Sequence, residues 1–397
     1  MQLIADGVVD REGVTGLAKR LGYSERHLTR SLVAEVGAGP KELARAQRAQ
    51  TSRVLIETTD ISFTEVAFAA GFGSIRQFND TVQEIFAATP TELRSKRGAG
   101  TTLAAGAISL RLAVRRPFAG PELLDYLAHR AVAGIEEVEG ATYRRSLDLP
   151  HAPGVVELTP CDDHVAAVLR LSDIRDLTAA VQRCRRLLDL DADPEAVDQT
   201  LGSEELMSGL VARTPGRRVP GTVDGSELAF RAVLGQQVSV AAARTHAARL
   251  VIAHGKPLDA PVGGVTHLFP RAEDLLDVEP AALAMPQSRR NTIRELARAI
   301  SSGDLGLDPG ADRERTVQKL ETVRGIGPWT AGYVRMRALG DPDAFMASDL
   351  GVHHALVKLG LAGDPKSAEQ LSERWKPWRA YALQHLWASL TEKDETR

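Results

Sequence analysis

The sequence predicts a mainly α-helical protein with an α+β domain in its middle. Three observations support this fold class: helical periodicity broken by Gly and Ser up to about residue 97, strand-like pieces between about 108 and 215, and nearly continuous helical periodicity afterwards. A chain of 397 residues is also too long for one ordinary hydrophobic core. We therefore expect domains at 1–97, 108–215 and 216–397, with a small-residue linker at 98–107.

Composition and charge restrict the class of protein. The chain has 43% hydrophobic and 25% charged residues and a net charge of −3, which are ordinary values for a soluble globular protein. No apolar run approaches the roughly 18 residues of a membrane span, and the N-terminus does not resemble a secretion signal. We therefore expect a cytoplasmic protein without a membrane partner. Its two cysteines exclude a four-cysteine zinc or iron–sulfur site built from this chain alone.

Residues 12–37 have the spacing of a helix-turn-helix. A short helix, Val14–Leu21, ends at Gly22, and Ser24 is positioned to cap a second helix. In this motif the second helix enters the major groove of DNA. Its polar side offers three side chains for that contact: Arg26, His27 and Arg30.

A second unit of the same pattern occupies residues 62–90. Its first helix ends at Gly71, Ser74 caps the next, and a long helix, Pro40–Thr58, joins the two units. The polar residues that this second unit offers to DNA are Arg76 and Gln77.

The tandem units resemble the DNA-binding domain of AraC-type regulators. The most specific part is AxxxGFGSxxxFxxxFxxxxxxTPxxLR, although Ile85-Phe86 shifts the usual Phe spacing slightly. A generic helical bundle is the alternative, and charge does not decide, because residues 1–97 contain 13 Lys and Arg against 12 Asp and Glu. In Ada-type alkylation-response proteins a zinc domain with a methyl-accepting cysteine precedes such a module. The two cysteines of this chain, Cys161 and Cys184, lie elsewhere.

A tight turn joins two predicted helices within residues 316–339. Gly325 and Gly327 flank Ile326 in this turn, and both glycines allow positive φ angles and a close approach of a phosphate to backbone N–H groups. Pro328 can open the second helix because its missing N–H costs little there. The pattern is a helix-hairpin-helix, a clamp for the DNA backbone that ignores sequence, and an ordinary αα-hairpin is the alternative.

Asp349 stands 22 residues after Gly327, directly before an apolar-periodic helix. The simpler interpretation is a helix N-cap. The functional one uses the same geometry, because helix-terminal N–H groups keep a carboxylate ionised and aimed. An ionised carboxylate suits glycosidic cleavage, whose transition state is a cationic, oxocarbenium-like sugar.

Hairpin, Gly/Pro-containing connection and aspartate together form the HhH-GPD signature, and residues 220–390 resemble 3-methyladenine DNA glycosylase II. The stretch Glu373–Trp387 is similar to the same family, and residues 108–215 resemble its N-terminal domain, including the segment YLAHRAVAGIE. The resemblance implies an all-helical glycosylase domain after an α+β domain with an antiparallel sheet. It also implies excision of alkylated bases, of the 3-methyladenine and 7-methylguanine type, by base flipping.

The resemblance assigns roles residue by residue. Asp349 matches the catalytic aspartate. Trp329 occupies the position where bifunctional relatives have a Schiff-base lysine, so we expect a monofunctional enzyme without strand cleavage. Electron-rich faces suit positively charged N-alkylpurines, and core packing is the alternative for each aromatic residue taken singly. The aromatic residues that match the base pocket are Trp329, Tyr333, Trp387 and Tyr126.

Further matches concern DNA. Gln237 matches the wedge residue that fills the stack when the base flips, where an apolar Leu is a common choice. The hairpin backbone at Arg324, Gly325 and Gly327 is expected to hold a DNA phosphate, with a structural monovalent cation there as in the family. No cofactor or catalytic metal is implied.

Three hypotheses follow for the function. The first is a monofunctional alkylbase glycosylase fused to a DNA-binding regulator module, and Asp349, Trp329 and the intact hairpin favour it. The second is an alkylation-response transcriptional regulator with a vestigial glycosylase part. The third is a glycosylase for oxidised or mismatched bases. We expect a monomer at the bacterial nucleoid, with double-stranded DNA carrying alkylated bases as its substrate and operator DNA as a second partner.

Overall fold

The structure, a computed structural model, describes residues 2–5, 7–59, 61–95, 107–277 and 285–390. The predicted linker at 98–107 lies, up to residue 106, outside these ranges. The first region is helical, in agreement with the sequence. Its helices are α1 (Gln2–Ala5), α2 (Val8–Leu21), α3 (Glu25–Val36), α4 (Pro40–Thr58), α5 (Phe63–Ala69), α6 (Ile75–Phe86) and α7 (Pro90–Ser95).

Local signals explain where these helices begin and end. The side chains of Ser24 and Ser74 accept backbone N–H bonds at the starts of α3 and α6, which confirms both predicted caps. Helix α2 begins earlier than the predicted Val14–Leu21, at Val8, but Gly13 interrupts its helical angles with a φ of 71°. Leu28 and Phe78 are the buried anchors of the second helix in each unit.

The middle region contains a five-stranded antiparallel sheet in the order β1-β5-β4-β3-β2. Its strands are β1 (Ala107–Ala113), β2 (Glu136–Glu139), β3 (Thr142–Leu147), β4 (Gly154–Pro160) and β5 (His164–Leu171). Its helices are α8 (Gly120–Arg130), α9 (Leu177–Leu187), α10 (Pro194–Gly202) and α11 (Glu205–Arg213). Burial alternates along β1 and β5, as expected for a sheet with one covered face.

The third region is helical apart from a small two-stranded sheet of β6 (Pro257–Val262) and β7 (Val265–His267). Its helices are α12 (Gly225–Leu234), α13 (Val240–His254), α14 (Gln287–Ser301), α15 (Arg313–Thr322), α16 (Pro328–Arg337), α17 (Leu350–Lys358), α18 (Pro365–Ser372) and α19 (Arg379–Ser389). The predicted fold class, mainly α with an α+β middle, is therefore confirmed.

Contacts divide the chain into two compact units. The first comprises Met1–Arg111, Arg144–Thr159 and Ala166–Cys184, and the second comprises Leu112–Tyr143, Pro160–Val165 and Arg185–Arg397. Two buried hydrophobic clusters fill the second unit. One packs α12, α14 and α16 together, and the other packs α11, α17 and α19. The predicted domain boundaries stay predictions.

Candidate active site

A cavity of about 430 Å³ opens in the second unit. This volume lies within the range of small-ligand pockets. Aromatic side chains, arginines and one carboxylate line it, including Arg130, Arg231, Trp329, Tyr333, Arg337, Asp349, Gly351 and Trp387. Four of the predicted site residues therefore meet at one cavity: Trp329, Tyr333, Asp349 and Trp387.

Asp349 caps α17 and is only 8% exposed. Its Oδ1 accepts the Val352 backbone N–H at 2.9 Å and the Trp387 indole N–H at 2.8 Å. Its Oδ2 accepts the Trp329 indole N–H at 2.7 Å. The N-cap interpretation is thus confirmed, and two indole donors that the sequence did not reveal hold the same carboxylate beside the cavity.

Gly351 makes this arrangement possible. A Cβ atom at this position would lie 2.9 Å from both Asp349 Oδ1 and Trp387 Cδ1. No real side chain tolerates such a distance to a well-packed ring, so glycine is required for the indole to reach the carboxylate. Gly351 lies two residues after Asp349 in the sequence, but nothing in the local pattern identifies its partner on α19.

Trp329 and Tyr333 lie one turn apart on α16 and stack almost in parallel. Their ring centroids are 5.3 Å apart and the interplanar angle is 8°. The i, i+4 spacing places both rings on one face of the helix. They therefore form one continuous aromatic wall of the cavity.

Tyr126 stands behind this wall. Its hydroxyl is 3.5 Å from that of Tyr333, and it is not among the residues that line the cavity. The guanidinium carbon of Arg130 lies 3.8 Å from the Tyr126 ring centroid, and that of Arg337 lies 5.3 Å away. Tyr126 therefore contacts Tyr333, and its expected contact with the base stays a prediction.

The two tyrosines differ in their proton affinity. Burial raises the pKa of Tyr126 above its ordinary value. Burial would raise the pKa of Tyr333 as well, but Arg337 and Arg130 outweigh it and lower the pKa to about 8. Arg337 also donates directly to the Tyr333 hydroxyl, at 2.6 Å.

An ion cluster supports the cavity from α12. Arg231 donates to Glu227 at 2.7 Å and to Glu136 at 3.0 Å, and all three side chains are largely buried. Burial disfavours the charged form of Arg231, but the carboxylates of Glu136 and Glu227 outweigh this effect and raise the pKa of Arg231. Arg231 also donates to the backbone oxygen of Arg130, at 2.8 Å. No local sequence pattern predicts this cluster, because Glu136 and Arg231 are 95 residues apart.

The loop after α12 carries the predicted wedge. Gln237 is exposed and has a φ of 54°, a left-handed conformation that a residue with a side chain rarely adopts. Ser239 then caps α13, where its side chain accepts the Ala242 backbone N–H. The wedge role of Gln237 stays a prediction.

The two glycines of the hairpin turn differ in conformation. Gly325 has a φ of 94°, and a Cβ there would lie 2.1 Å from Thr292 Oγ1. Gly327 has a φ of −100° and serves as the extended N-cap of α16. Within the described chain, the backbone N–H groups of both glycines have no acceptor, whereas that of Arg324 donates to Glu295 at 3.2 Å.

The helix-turn-helix side chains belong to the first unit. Five of them are exposed, namely Arg26, His27, Arg30, Arg76 and Gln77. Their polar contacts are weak: Arg30 lies 3.4 Å from the His27 ring nitrogen, and Arg76 lies 3.9 Å from Asp80.

The described residues contain no group of three or more His, Cys, Asp or Glu side chains arranged to hold a metal ion. In the same part of the chain, no helix has both the length and the apolar character needed to cross a bilayer.

Comparison with known proteins decides the family. Models of three families match: a helix-turn-helix domain at 17–96, the AlkA N-terminal domain at 109–224 and the HhH-GPD superfamily of base excision DNA repair proteins at 230–380. A probable bifunctional transcriptional activator/DNA repair enzyme AlkA from Mycobacterium tuberculosis is 54% identical over 98% of this chain and 79% of its own length. Escherichia coli DNA-3-methyladenine glycosylase 2 is 36% identical over 68% of this chain and 94% of its own length. The chain belongs to the AlkA-type DNA glycosylases.

A solved structure agrees with this AlkA-type assignment at the level of the fold. The 3-methyladenine DNA-glycosylase from Archaeoglobus fulgidus matches with a TM-score of 0.62 and 22% identity, over 70% of this chain and 97% of that one. This AlkA-type glycosylase therefore combines an AraC-type helix-turn-helix domain with the AlkA N-terminal domain and the HhH-GPD domain.

Proposed function

We propose that this AlkA-type enzyme is a monofunctional glycosylase that hydrolyses the N-glycosidic bond of alkylated bases, of the 3-methyladenine and 7-methylguanine type, in DNA. One observation carries the proposal: the Asp349 carboxylate accepts three N–H bonds beside an aromatic cavity and has no ion pair among the described residues. A fixed, unneutralised negative charge stabilises the oxocarbenium-like sugar of the transition state.

The same carboxylate has room for a water molecule. An ionised carboxylate offers about four lone-pair positions, and the three N–H donors occupy two on Oδ1 and one on Oδ2. The remaining position on Oδ2 can orient water toward the sugar. The water oxygen forms the new bond to C1′, the base departs with the electrons of the broken bond, and the water gives up a proton to solvent.

The leaving base needs little help. An N-alkylated purine is positively charged in DNA, so it leaves as a neutral base without a general acid. The stacked wall of Trp329 and Tyr333 offers an electron-rich face to that cation. Trp329 cannot form the Schiff base of a lysine, which supports base removal without strand cleavage.

The hairpin supplies the hold on DNA. The unpaired backbone N–H groups of Gly325 and Gly327 lie at the start of α16, where the helix dipole also favours an anion, so a phosphate fits there. Gln237 would fill the space that the flipped base leaves. A monovalent cation also fits the turn, because the carbonyl oxygens of Val323 and Arg324 each accept one bond and keep a second lone pair.

Substitution of Asp349 by Asn tests the proposal. Asparagine can still cap α17, but it lacks the charge, and at about 4 Å this charge is worth roughly 4 kcal/mol against the sugar cation. We expect single-turnover release of methylated bases from alkylated DNA to fall about 10³-fold. Asp364→Asn is the matched control, since Asp364 caps α18 with the same bond, at 3.0 Å to the Ser367 N–H. Equal release by wild type and Asp349→Asn, or none by either, contradicts the proposal.

A second function rests on the helix-turn-helix module, whose exposed arginines suit DNA. We expect it to bind operator DNA, so that the chain acts as a regulator as well as an enzyme. Base release by the wild type separates this dual role from a regulator with a vestigial glycosylase part. We also expect the enzyme to act as a monomer at the nucleoid, where its substrate lies.

A further inference from the structure

Gln236, which directly precedes the predicted wedge, is bonded to the hairpin rather than to the cavity. Its side-chain Nε2 donates to the backbone oxygen of Gly325 at 2.9 Å and to Thr330 Oγ1 at 3.0 Å. Gly325 belongs to the turn and Thr330 to the first turn of α16, 89 and 94 residues away along the chain. The side-chain amide of Gln236 therefore connects the loop that carries Gln237, here called the wedge loop, to the hairpin turn and to the start of α16. These last two segments together form the proposed phosphate clamp.

Helix α14 holds the same two segments from the other side. Arg289 donates to the backbone oxygen of Gln236 at 2.5 Å, and three residues later Thr292 donates to the backbone oxygen of Arg324 at 2.8 Å. Gly325 packs directly on Thr292, with no space for a Cβ. The wedge loop therefore contacts the hairpin, and α14 contacts both of them.

The wedge needs such support. Gln237 has a φ of 54°, and a non-glycine residue in this region persists only when its surroundings fix it. Its own side chain is exposed, so the neighbouring residue supplies the constraint. Gln236 does so through both its side-chain amide and its backbone oxygen.

We propose that Gln236 is a positioning residue that couples the hold of the hairpin on a DNA phosphate to insertion of Gln237 into the stack. This inference rests on the base-flipping function proposed above. The Gly325 carbonyl accepts a bond from Gln236, whereas the Gly325 N–H has no acceptor among the described residues and can donate to a phosphate. A phosphate bound at the hairpin therefore fixes the distance and direction from which the wedge enters. Without the two bonds the clamp still binds DNA, but the wedge enters with a poorly defined geometry.

Three variants test the coupling. Gln236→Met keeps the length of the side chain and removes both N–H donors, Gln237→Ala removes the wedge, and the double variant combines them. Two neutral hydrogen bonds are together worth about a tenfold factor. We expect Gln236→Met to lower single-turnover excision from duplex DNA about tenfold, with the affinity for lesion-free duplex changed less than about twofold. Thr330→Val removes one of the two acceptors and should give a smaller loss in the same direction.

The double variant gives the decisive result. If Gln236 acts through Gln237, the double variant excises no more slowly than Gln237→Ala alone. Excision from single-stranded DNA, which has no stack to fill, should be the same in Gln236→Met and wild type. Losses that multiply in the double variant, or an equal loss on single-stranded DNA, overturn the inference.

An independent measurement separates this inference from the proposed function. Fluorescence of 2-aminopurine placed next to an abasic-site analogue reports insertion of the wedge and needs no catalysis. Reduced fluorescence change in Gln236→Met supports the coupling even with an inactive enzyme. An unchanged signal overturns it, whereas absence of base release by the wild type counts only against the proposed function.

Discussion

The exposed side chains of the helix-turn-helix module and the polar groups around the cavity differ in how they are held. Arg26, Arg30 and Arg76 are exposed, and the polar contacts of Arg30 and Arg76 are long, at 3.4 and 3.9 Å. Around the cavity, Asp349 and Arg337 are almost completely buried, and their hydrogen bonds measure 2.6 to 2.9 Å.

The difference agrees with the roles that we propose for the two regions. Groove-binding side chains adapt to a partner that arrives with its own charges, so a loose arrangement costs little. A group that stabilises a transition state must already be oriented, because reorganisation during the reaction would cancel its effect. The cavity should therefore respond strongly to small changes around Asp349, whereas the helix-turn-helix module should respond weakly to single substitutions.

After substitution of Asp349 itself, the largest effect is expected from removing both of its indole donors. In Trp329→Phe/Trp387→Phe the aromatic faces persist, but the carboxylate keeps only the Val352 N–H. Each hydrogen bond to a charged group contributes about 1.5–3 kcal/mol. Loss of the two indole bonds should therefore slow single-turnover excision about 100-fold. Trp378→Phe is the control, because Trp378 is half-buried and makes no bond to Asp349. An excision rate within about twofold of wild type would refute the role of the indoles.

A smaller loss is expected from Gly351→Ala. The new methyl group must displace either the carboxylate or the Trp387 indole, each 2.9 Å from the Cβ position. We expect excision to slow about tenfold, the loss of one charge-assisted bond. Gly209→Ala is the matched control, since Gly209 also lies inside a helix but has no neighbour within 4 Å of its Cβ position. If both alanine variants excise at the wild-type rate, the packing argument fails.

What the sequence could predict depended on how near the interacting residues lie in the chain. The caps at Ser24 and Ser74 were predictable because each involves a helix start and a residue of known preference. Asp349 and the hairpin were predictable because their spacing forms a signature. The residues around the cavity were predictable as a set only through the resemblance to a family.

The contacts that hold the site were not predictable. The Trp387 indole and Asp349 are 38 residues apart, and Gln236 and Gly325 are 89 residues apart, so no local pattern connects them. The sequence allows a positive φ at both hairpin glycines and does not show which of them adopts it. One left-handed residue, Gly325, suffices to turn the chain, and the next glycine then adopts the extended angles of an N-cap.

The double variant Arg26→Ala/Arg30→Ala tests the helix-turn-helix module. Each arginine that contacts a phosphate contributes to affinity through counterion release, so the salt dependence of duplex binding should become shallower by about one unit of slope per contact. We expect binding to weaken severalfold, with single-turnover excision at saturating enzyme unchanged. Lys366→Ala, an exposed cation on α18, serves as the control. A parallel loss of excision at saturation would mean that the two regions do not work separately.

The smallest effect concerns the proton of Tyr333. Its pKa of about 8 in the folded protein lies below the ordinary value of 10.0, so the ionised form stabilises the fold fully above pH 10, and that contribution is lost as the pH falls through 8. The free energy of unfolding of wild type relative to Tyr333→Phe should therefore rise between pH 8 and pH 10. Tyr126→Phe is the matched control, because the pKa of Tyr126 is raised and its removal takes away no ionisation near pH 8.

Ionisation of Tyr333 should also affect how tightly the substrate binds. A phenolate in the cavity wall attracts a cationic base more strongly than a phenol does, so KM for methylated DNA should fall about two- to threefold from pH 7 to pH 9 in wild type, with little change in Tyr333→Phe. The ultraviolet absorbance of tyrosinate gives an independent check, with a step near pH 8 that Tyr333→Phe lacks. A step that persists in this variant would assign the ionisation to another tyrosine. Arg337 and Arg130 would then orient the Tyr333 side chain rather than promote its ionisation.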